Sequence, residues 1–416
     1  MDEGWETWTR RELCDLRACH GSSRAEFARR VGVDLRTVQR WEAGETRPAE
    51  KTVIARLHNL ARQIIAKKAS WLFDSQGMLL MNRRDALRML AGGAVVSVPG
   101  VPSVLPRRVS DTQLDGIEAT TTALAGAYHR VAPQTLLAPV TAHLEEASRL
   151  LQVSMASRQH DRLLSATGDL AAFVARLAFV CDRPGQMEAY LELAQSRAYE
   201  AGDHVLLAQI CCARANLYSD SPNGSPYHDP KTAGELLEQA TNLAVDAPGW
   251  VRSHVAAALA EERAAGEDAG GSDEAYDAAL LALHDTSGPP MPASGFFSTS
   301  GFYAHWGESG QIEGYQGVCA VLLGRSERAG RILQARLDRP LTPRKRATSL
   351  ADLGAALAQG DPDEAAVTLI EAHELNVASG NTLGYRRILG ACEKLKGVDT
   401  PKVRELFERL HLPPQV

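Results

Sequence analysis

The sequence predicts an all-α protein, with a small helical domain at the N-terminus and a long helical solenoid after it. Between Ser23 and Pro48, two short helical patterns flank a glycine turn. From Asp111 onwards, alanine and leucine recur at helical spacing without the alternation typical of strands. Short Gly/Asp/Pro breaks divide this region into hairpins of about 34 to 40 residues, a period that indicates stacked helical repeats.

The N-terminal helix pair is defined by its caps. Ser23 followed by Glu26 forms the pattern of a capping box, in which the two residues satisfy each other's backbone N–H groups. Gly32 then supplies a turn at which a positive φ costs little. Asp34 is placed to cap the second helix, and Gly44 is placed to end it. The sequence therefore predicts two helices joined by a tight turn.

The spacing of the core residues in this pair indicates a nucleic-acid-binding function. Ala28 is small enough for the second helix to approach the first, and Val38 and Trp41 point inward on one face. Arginine and glutamine on the outer face can bond guanine and adenine edges in the major groove, which such a helix enters by its N-terminal half. The candidate DNA contacts on this helix are Leu35, Arg36, Thr37, Gln39 and Arg40.

This segment resembles the helix-turn-helix domain of Cro/repressor-type (XRE) regulators. The resemblance rests on Ala28, Gly32, Val38, the run from Trp41 to Gly44, and Arg47-Pro48, within a match from about Trp8 to Leu60. It implies a five-helix domain that binds double-stranded DNA, with Arg24 and Arg47 on phosphates. Leu35 departs from the family, which often has a polar residue there. The alternative is a helical hairpin that serves only for packing.

Charge is unevenly distributed along the 416 residues, whose net charge is −6. Residues 1–110 contain 19 Lys/Arg and 12 Asp/Glu, a net charge of +7, and the remainder has a net charge of −13. A basic N-terminal region and an acidic remainder fit a protein that meets phosphate with the first part only.

Two further patterns bear on location. The seven cysteines are odd in number and scattered, a pattern that favours reduced thiols in a cytoplasmic protein. Cys14, Cys19 and His20 are not accompanied by the further cysteine or histidine pair that a zinc site needs. Residues 82–98 resemble a twin-arginine export signal. They lie far from the N-terminus and contain Gly and Pro, so we interpret them as an adaptor helix and expect no membrane span.

Three regions follow from these patterns: a helix-turn-helix domain at 1–70, an adaptor and Pro-rich linker at 71–110, and a repeat domain at 111–416. The repeat domain resembles tetratricopeptide (TPR) repeats, most clearly where Leu350, Leu353 and Leu357 precede Gly360-Asp361 and Glu364-Ala365. The aromatic positions of that family are mostly aliphatic here.

One stretch of the repeat region, Phe296 to Tyr315, is rich in aromatic residues in a chain with 6% aromatics. It is either a ligand pocket on the concave surface of the solenoid or a hydrophobic plug between repeats. Asparagine amides on helices of that surface can bond a peptide backbone, or else they are ordinary helix-surface residues. The candidate ligand contacts are Asn216, Phe302, Tyr303, Trp306 and Asn376.

No phosphate loop, metal-binding histidine motif or nucleophile elbow is present, so we expect no enzymatic activity, metal or cofactor. The architecture resembles the peptide-sensing regulators of Gram-positive bacteria. That resemblance implies a homodimeric transcriptional regulator whose repeat domain senses a peptide or a small molecule. The alternative is a scaffold whose repeats bind a protein partner, with the N-terminal domain serving only to localise it on DNA.

Overall fold

The computed structural model describes residues 8–20, 22–68, 108–128, 131–221, 227–285, 287–292, 294–298, 301–303 and 311–411. Within these ranges the chain is all-α, with 18 helices and no strand. The predicted adaptor and most of the linker, including the twin-arginine-like stretch at 82–98, lie outside the described residues.

The N-terminal domain contains four described helices: α1 (Arg10–His20), α2 (Arg24–Val31), α3 (Leu35–Ala43) and α4 (Lys51–Lys68). Helices α1 and α2 both pack on α3 and α4. Ala28, Val38 and Trp41 are buried between them, as their spacing predicts. A fifth helix of this domain would fall outside the described residues.

The remaining helices form seven successive hairpins, which together make a solenoid. They are α5 (Asp111–Ala127), α6 (Pro133–Leu150), α7 (Ser157–Val180), α8 (Pro184–Ala201), α9 (His204–Ala215), α10 (Pro230–Leu243), α11 (Gly249–Ala265), α12 (Ala269–His284), α13 (Gln311–Leu322), α14 (Ser326–Leu337), α15 (Pro343–Leu357), α16 (Pro362–Ser379), α17 (Thr382–Glu393) and α18 (Pro401–Arg409). The first helix of each hairpin from α7 to α15 also packs on the first helix of the next. Those first helices therefore form the inner layer.

Small residues allow the paired helices to approach closely. Ala365, Ala366 and Ala372 on α16 are fully buried, and a Cβ built on Gly354 of α15 would lie 2.6 Å from Leu369. Helix α13 shows the same close packing at a small residue, because a Cβ on Gly317 would lie 2.6 Å from a Leu333 methyl group. The alanine-rich composition is thus a packing requirement.

The solenoid turns far enough to meet its own beginning, because α17 contacts α7. The Arg344 guanidinium at the start of α15 donates hydrogen bonds of 3.0 and 2.9 Å to the Tyr128 and Val131 carbonyls after α5. Gln134 donates a 2.8 Å hydrogen bond to the Gly380 carbonyl. These polar contacts join distant hairpins beside an interior space.

Helix α7 is long and apolar enough to cross a membrane by length and composition, and it is the one such helix among the described residues. Of the window that passes this test, 78% is buried inside the protein. The apolar character of α7 is accounted for by its place in the core of the solenoid.

Candidate nucleic-acid interface and interior cavity

The turn between α2 and α3 has the geometry that its residues predict. Ser23 and Glu26 form a complete capping box, and Asp34 accepts a 2.8 Å hydrogen bond from the Thr37 N–H. Gly32 has φ +79° and Gly44 has φ +83°, both in the left-handed region that favours glycine. These caps fix where α3 begins and ends, and therefore which side chains face outward.

The outward face of α3 carries the predicted DNA contacts. Leu35, Arg36, Gln39 and Arg40 are exposed, as is Arg47 after the helix. Arg40 lies 3.5 Å from the Glu45 carboxylate, and the Thr37 hydroxyl donates a 2.8 Å hydrogen bond to Asp34. Thr37 therefore takes part in the N-cap, and its hydroxyl oxygen is left as an acceptor.

Glu42 holds α3 against α1 and α2, a role that its position in the sequence does not predict. Its two carboxylate oxygens accept 2.5 Å hydrogen bonds from Arg17 Nε on α1 and Arg24 Nε on α2. Glu42 is buried, and burial raises the pKa of its carboxyl, but the hydrogen bonds from both guanidinium groups outweigh burial and hold it below its usual value. Arg24 thus joins α2 to α3 while about half of its side chain stays exposed.

The aromatic stretch before α13 is largely a plug inside the solenoid. The Asp169 carboxylate on α7 accepts hydrogen bonds of 2.6 and 3.0 Å from the Phe296 and Phe297 N–H groups. Phe296 stacks on Phe173, with ring centroids 4.4 Å apart, and is fully buried. Phe296 is therefore part of a hydrophobic plug between repeats.

Some of the predicted ligand residues line an interior cavity and others do not. Phe302 lines an interior cavity, whereas Tyr303 is fully buried beside it, with its hydroxyl 3.1 Å from His254 Nδ1. Asn216 also lines the cavity, and its amide nitrogen is bonded to two carbonyls of its own helix turn. Trp306 lies outside the described residues.

The placement of Asn376 on the concave surface is wrong. This residue lies on α16, the outer helix of its hairpin, and is buried against α17. A Cβ on Gly384 would lie 2.1 Å from its amide oxygen, so α17 approaches too closely for a ligand to reach Asn376. Helical spacing alone does not distinguish an inner helix from an outer one.

The cavity itself has a volume of about 200 Å³ and lies among the inner helices from α7 to α17. Its wall combines aromatic rings with a group of charged residues that sequence patterns did not predict: Arg176, Glu261, Arg336, Arg344, Lys345, Asp352 and Arg387. These residues come from α7, α11, α14, α15 and α17, so they approach one another only when the solenoid closes.

Comparison with known proteins bears on the N-terminal domain. Residues 15–55 match the family model of the helix-turn-helix, of the XRE type. The match spans α2, the turn and α3, together with part of α1 and α4. Among curated proteins, none matches the chain. The chain therefore carries a helix-turn-helix of the kind found in DNA-binding regulators.

Proposed function

We propose that this protein is a sequence-specific transcriptional regulator that binds double-stranded DNA as a homodimer and responds to a small effector. The capped, outward-facing α3 within the matched helix-turn-helix is the observation that carries the DNA-binding part. A single helix of this kind contacts few base pairs, so two copies on half-sites about 34 Å apart would supply the affinity and specificity that regulators need.

In this proposal, each of the three regions expected from the sequence has a separate function. Residues 1–70 would bind DNA, residues 71–110 would connect, and residues 111–416 would form a TPR-like effector domain. Leu35, Arg36, Gln39 and Arg40 would face the major groove. Arg24 and Arg47 would face phosphates, and the pairing of Arg24 with Glu42 would orient its remaining donors.

The interior cavity favours a small effector over a large protein partner. A scaffold would need the inner helices free along the concave surface, whereas here the aromatic plug occupies part of that space and leaves a cavity of about 200 Å³. We therefore favour sensing of a small ligand in this cavity over the scaffold function. Phe302 and Asn216 are the earlier ligand candidates that remain in this proposal.

The DNA-binding proposal is tested by selecting bound sites from a random DNA pool with the full chain, then titrating the selected site at several salt concentrations. We expect an enriched sequence with two-fold symmetry. The logarithm of the affinity should fall linearly with the logarithm of the salt concentration, with a slope of about −0.9 for each phosphate contact. Deletion of residues 1–70 should abolish binding. Unchanged binding after this deletion would refute the proposal.

A further inference from the structure

The cavity wall carries more positive than negative charge. Five cationic side chains line it, Arg176, Arg336, Arg344, Lys345 and Arg387, together with the two carboxylates of Glu261 and Asp352. His254 also lines the cavity, and burial lowers its pKa to about 3, so it is neutral near pH 7. The lining therefore has a net charge of +3, inside a region whose sequence is strongly acidic overall.

Both carboxylates lie near the same cation. Asp352 accepts 2.7 Å hydrogen bonds from Arg387, and Glu261 lies 3.8 Å from it. This side of the cavity is close to electrostatic balance. The cations in excess include Arg176 on α7 and Arg344 at the start of α15, which both donate hydrogen bonds to Tyr128.

Arg176 has no carboxylate partner among the described residues. Its Nε donates a 3.0 Å hydrogen bond to the Tyr128 hydroxyl, and its guanidinium lies 5.5 Å from the Phe179 ring centre and 5.9 Å from that of Phe302. The Tyr128 hydroxyl and the aromatic rings position this guanidinium. Burial lowers its pKa, but interactions led by that with Tyr128 outweigh burial and raise it, and no described carboxylate neutralises its charge. Charged groups removed from bulk water are normally paired or bound to an ion.

Arg344 likewise has no carboxylate partner among the described residues. Arg344 donates to two backbone carbonyls, and its buried Nε has no hydrogen-bond partner within the described part of the chain. Burial lowers the pKa of Arg344 and the nearby charge of Arg176 lowers it further, while the interaction with Tyr128 offsets only part of this effect. Burial likewise lowers the pKa of Lys345 to about 8, with a further contribution from Arg336. An anion placed here would relieve the repulsion among these groups.

We propose that the cavity binds a small organic anion, with a carboxylate or phosphate group at Arg176, Arg344 and Lys345 and an aromatic body against the ring of Phe302. This inference rests on the proposed sensing function and names the chemical class of its effector. The volume of about 200 Å³ lies below the roughly 300–1,000 Å³ of pockets for drug-sized ligands. A single-ring anion suits this space better than an extended peptide.

Thermal unfolding of the full-length protein with three single-ring probes tests the chemical class. Phenyl phosphate and benzoate carry the two candidate anionic groups, and benzyl alcohol is the neutral control, all at equal ionic strength. We expect at least one anion to raise Tm by about 4 °C or more at roughly 100 times its Kd, with no comparable effect of benzyl alcohol. The stronger of the two anions identifies the head group. Equal stabilisation by benzyl alcohol, or none by either anion, would overturn the proposal.

Calorimetric titration of variants with the better probe tests the location. Arg176→Gln should weaken binding about ten- to hundredfold, the usual loss for a hydrogen bond to a charged group. Lys345→Gln should also weaken binding, and it tests the location if Arg176→Gln does not fold. Arg331→Gln removes the same charge from an exposed position on α14 and should leave the Kd unchanged. Unaltered binding by the folded cavity variants, or an equal loss in Arg331→Gln, would contradict the proposed site.

These measurements are made without DNA, so their failure can be told apart from failure of the DNA-binding proposal. If the anions do not bind while site selection still yields a symmetric operator, the protein remains a DNA-binding regulator and the effector assignment alone is wrong. If the anions bind while no sequence is enriched, the cavity assignment stands and the regulatory function is wrong.

Discussion

Replacing Glu42 with alanine should loosen α3 without altering the side chains on its outward face. Glu42 lies near the end of α3 and is buried, with each carboxylate oxygen accepting one hydrogen bond from a guanidinium on a different helix. Alanine keeps the helix, because its helix propensity is high, but removes the link to α1 and α2 at once. The position of α3 would then depend on its apolar contacts alone.

The magnitude of this loss is set mainly by Arg17, whose side chain is 26% exposed, whereas that of Arg24 is 54% exposed. A hydrogen bond between charged groups contributes about 1.5–3 kcal/mol when it is shielded from water. Arg24 is hydrated after the substitution and adds little. We therefore expect the free energy of local opening of α3 to fall by about 1.5–3 kcal/mol.

Hydrogen exchange followed by mass spectrometry on the full chain measures this opening. The amides of α3 should exchange about ten to one hundred times faster in Glu42→Ala than in the unaltered protein. Glu45→Ala is the matched control, because it removes the same charge from an exposed position just after the helix, and it should leave protection nearly unchanged. Unaltered exchange in Glu42→Ala would refute the role given to this ion-pair network.

Three further substitutions or conditions test the fold. Gly32→Ala should destabilise the N-terminal domain by about 1–2 kcal/mol, because φ +79° is unfavourable for a residue with a Cβ, and hydrogen exchange in α2 and α3 measures it. Burial lowers the pKa of His143 from 6.5 to about 4, so the unfolded chain takes up the proton first as pH falls below 6.5. The free energy of unfolding of the repeat region should therefore fall by about 2 kcal/mol between pH 7 and 5. Thermal melts of His143→Gln should lack this part of the decrease. Gly295→Ala should release the aromatic plug and lower Tm, because φ is +97° and the added Cβ would lie 2.8 Å from Asp169, whereas Gly330→Ala, with open space around it, should not.

The helix boundaries were predictable because they depend on local chemistry. Ser23, Asp34 and Gly44 cap helices through hydrogen bonds and dihedral angles that involve only neighbouring residues. The six hairpins from α7 onwards were also predicted, since alanine and leucine spacing and turn residues are local signals, but the first hairpin, α5 and α6, was not identified. The N-terminal domain and the solenoid class therefore followed from the sequence.

The charged lining of the cavity was not predictable, because it depends on how far the solenoid turns. Arg176 and Arg344 are separated by more than 160 positions in the sequence and approach each other only through the contact between the ends of the solenoid. In the sequence, Arg344 belongs to a basic run that is typical of a solvated surface. The curvature that buries it is the sum of small rotations between hairpins, which no single repeat encodes.

Asn376 and Glu42 show the same limit at the scale of one residue. Asn376 has a polar side chain at helical spacing, and only the packing of α17 shows that it is buried away from the cavity. Glu42 sits in a run of residues assigned by resemblance, and its partners Arg17 and Arg24 come from two other helices. Polar residues that act through distant partners carry no local signal of that role.

Selection of preferred DNA sites by base-contact and phosphate-contact variants tests most directly the claim that α3 reads sequence. Arg36→Ala or Arg40→Ala should cost about 1–3 kcal/mol and relax preference at one base pair of each half-site. Arg47→Ala, which removes an exposed cation beyond the helix, should weaken all sequences nearly equally and flatten the salt slope by about one unit. If Arg36→Ala and Arg40→Ala both return the unaltered consensus with only weaker binding, α3 does not read bases through these residues and the account is contradicted.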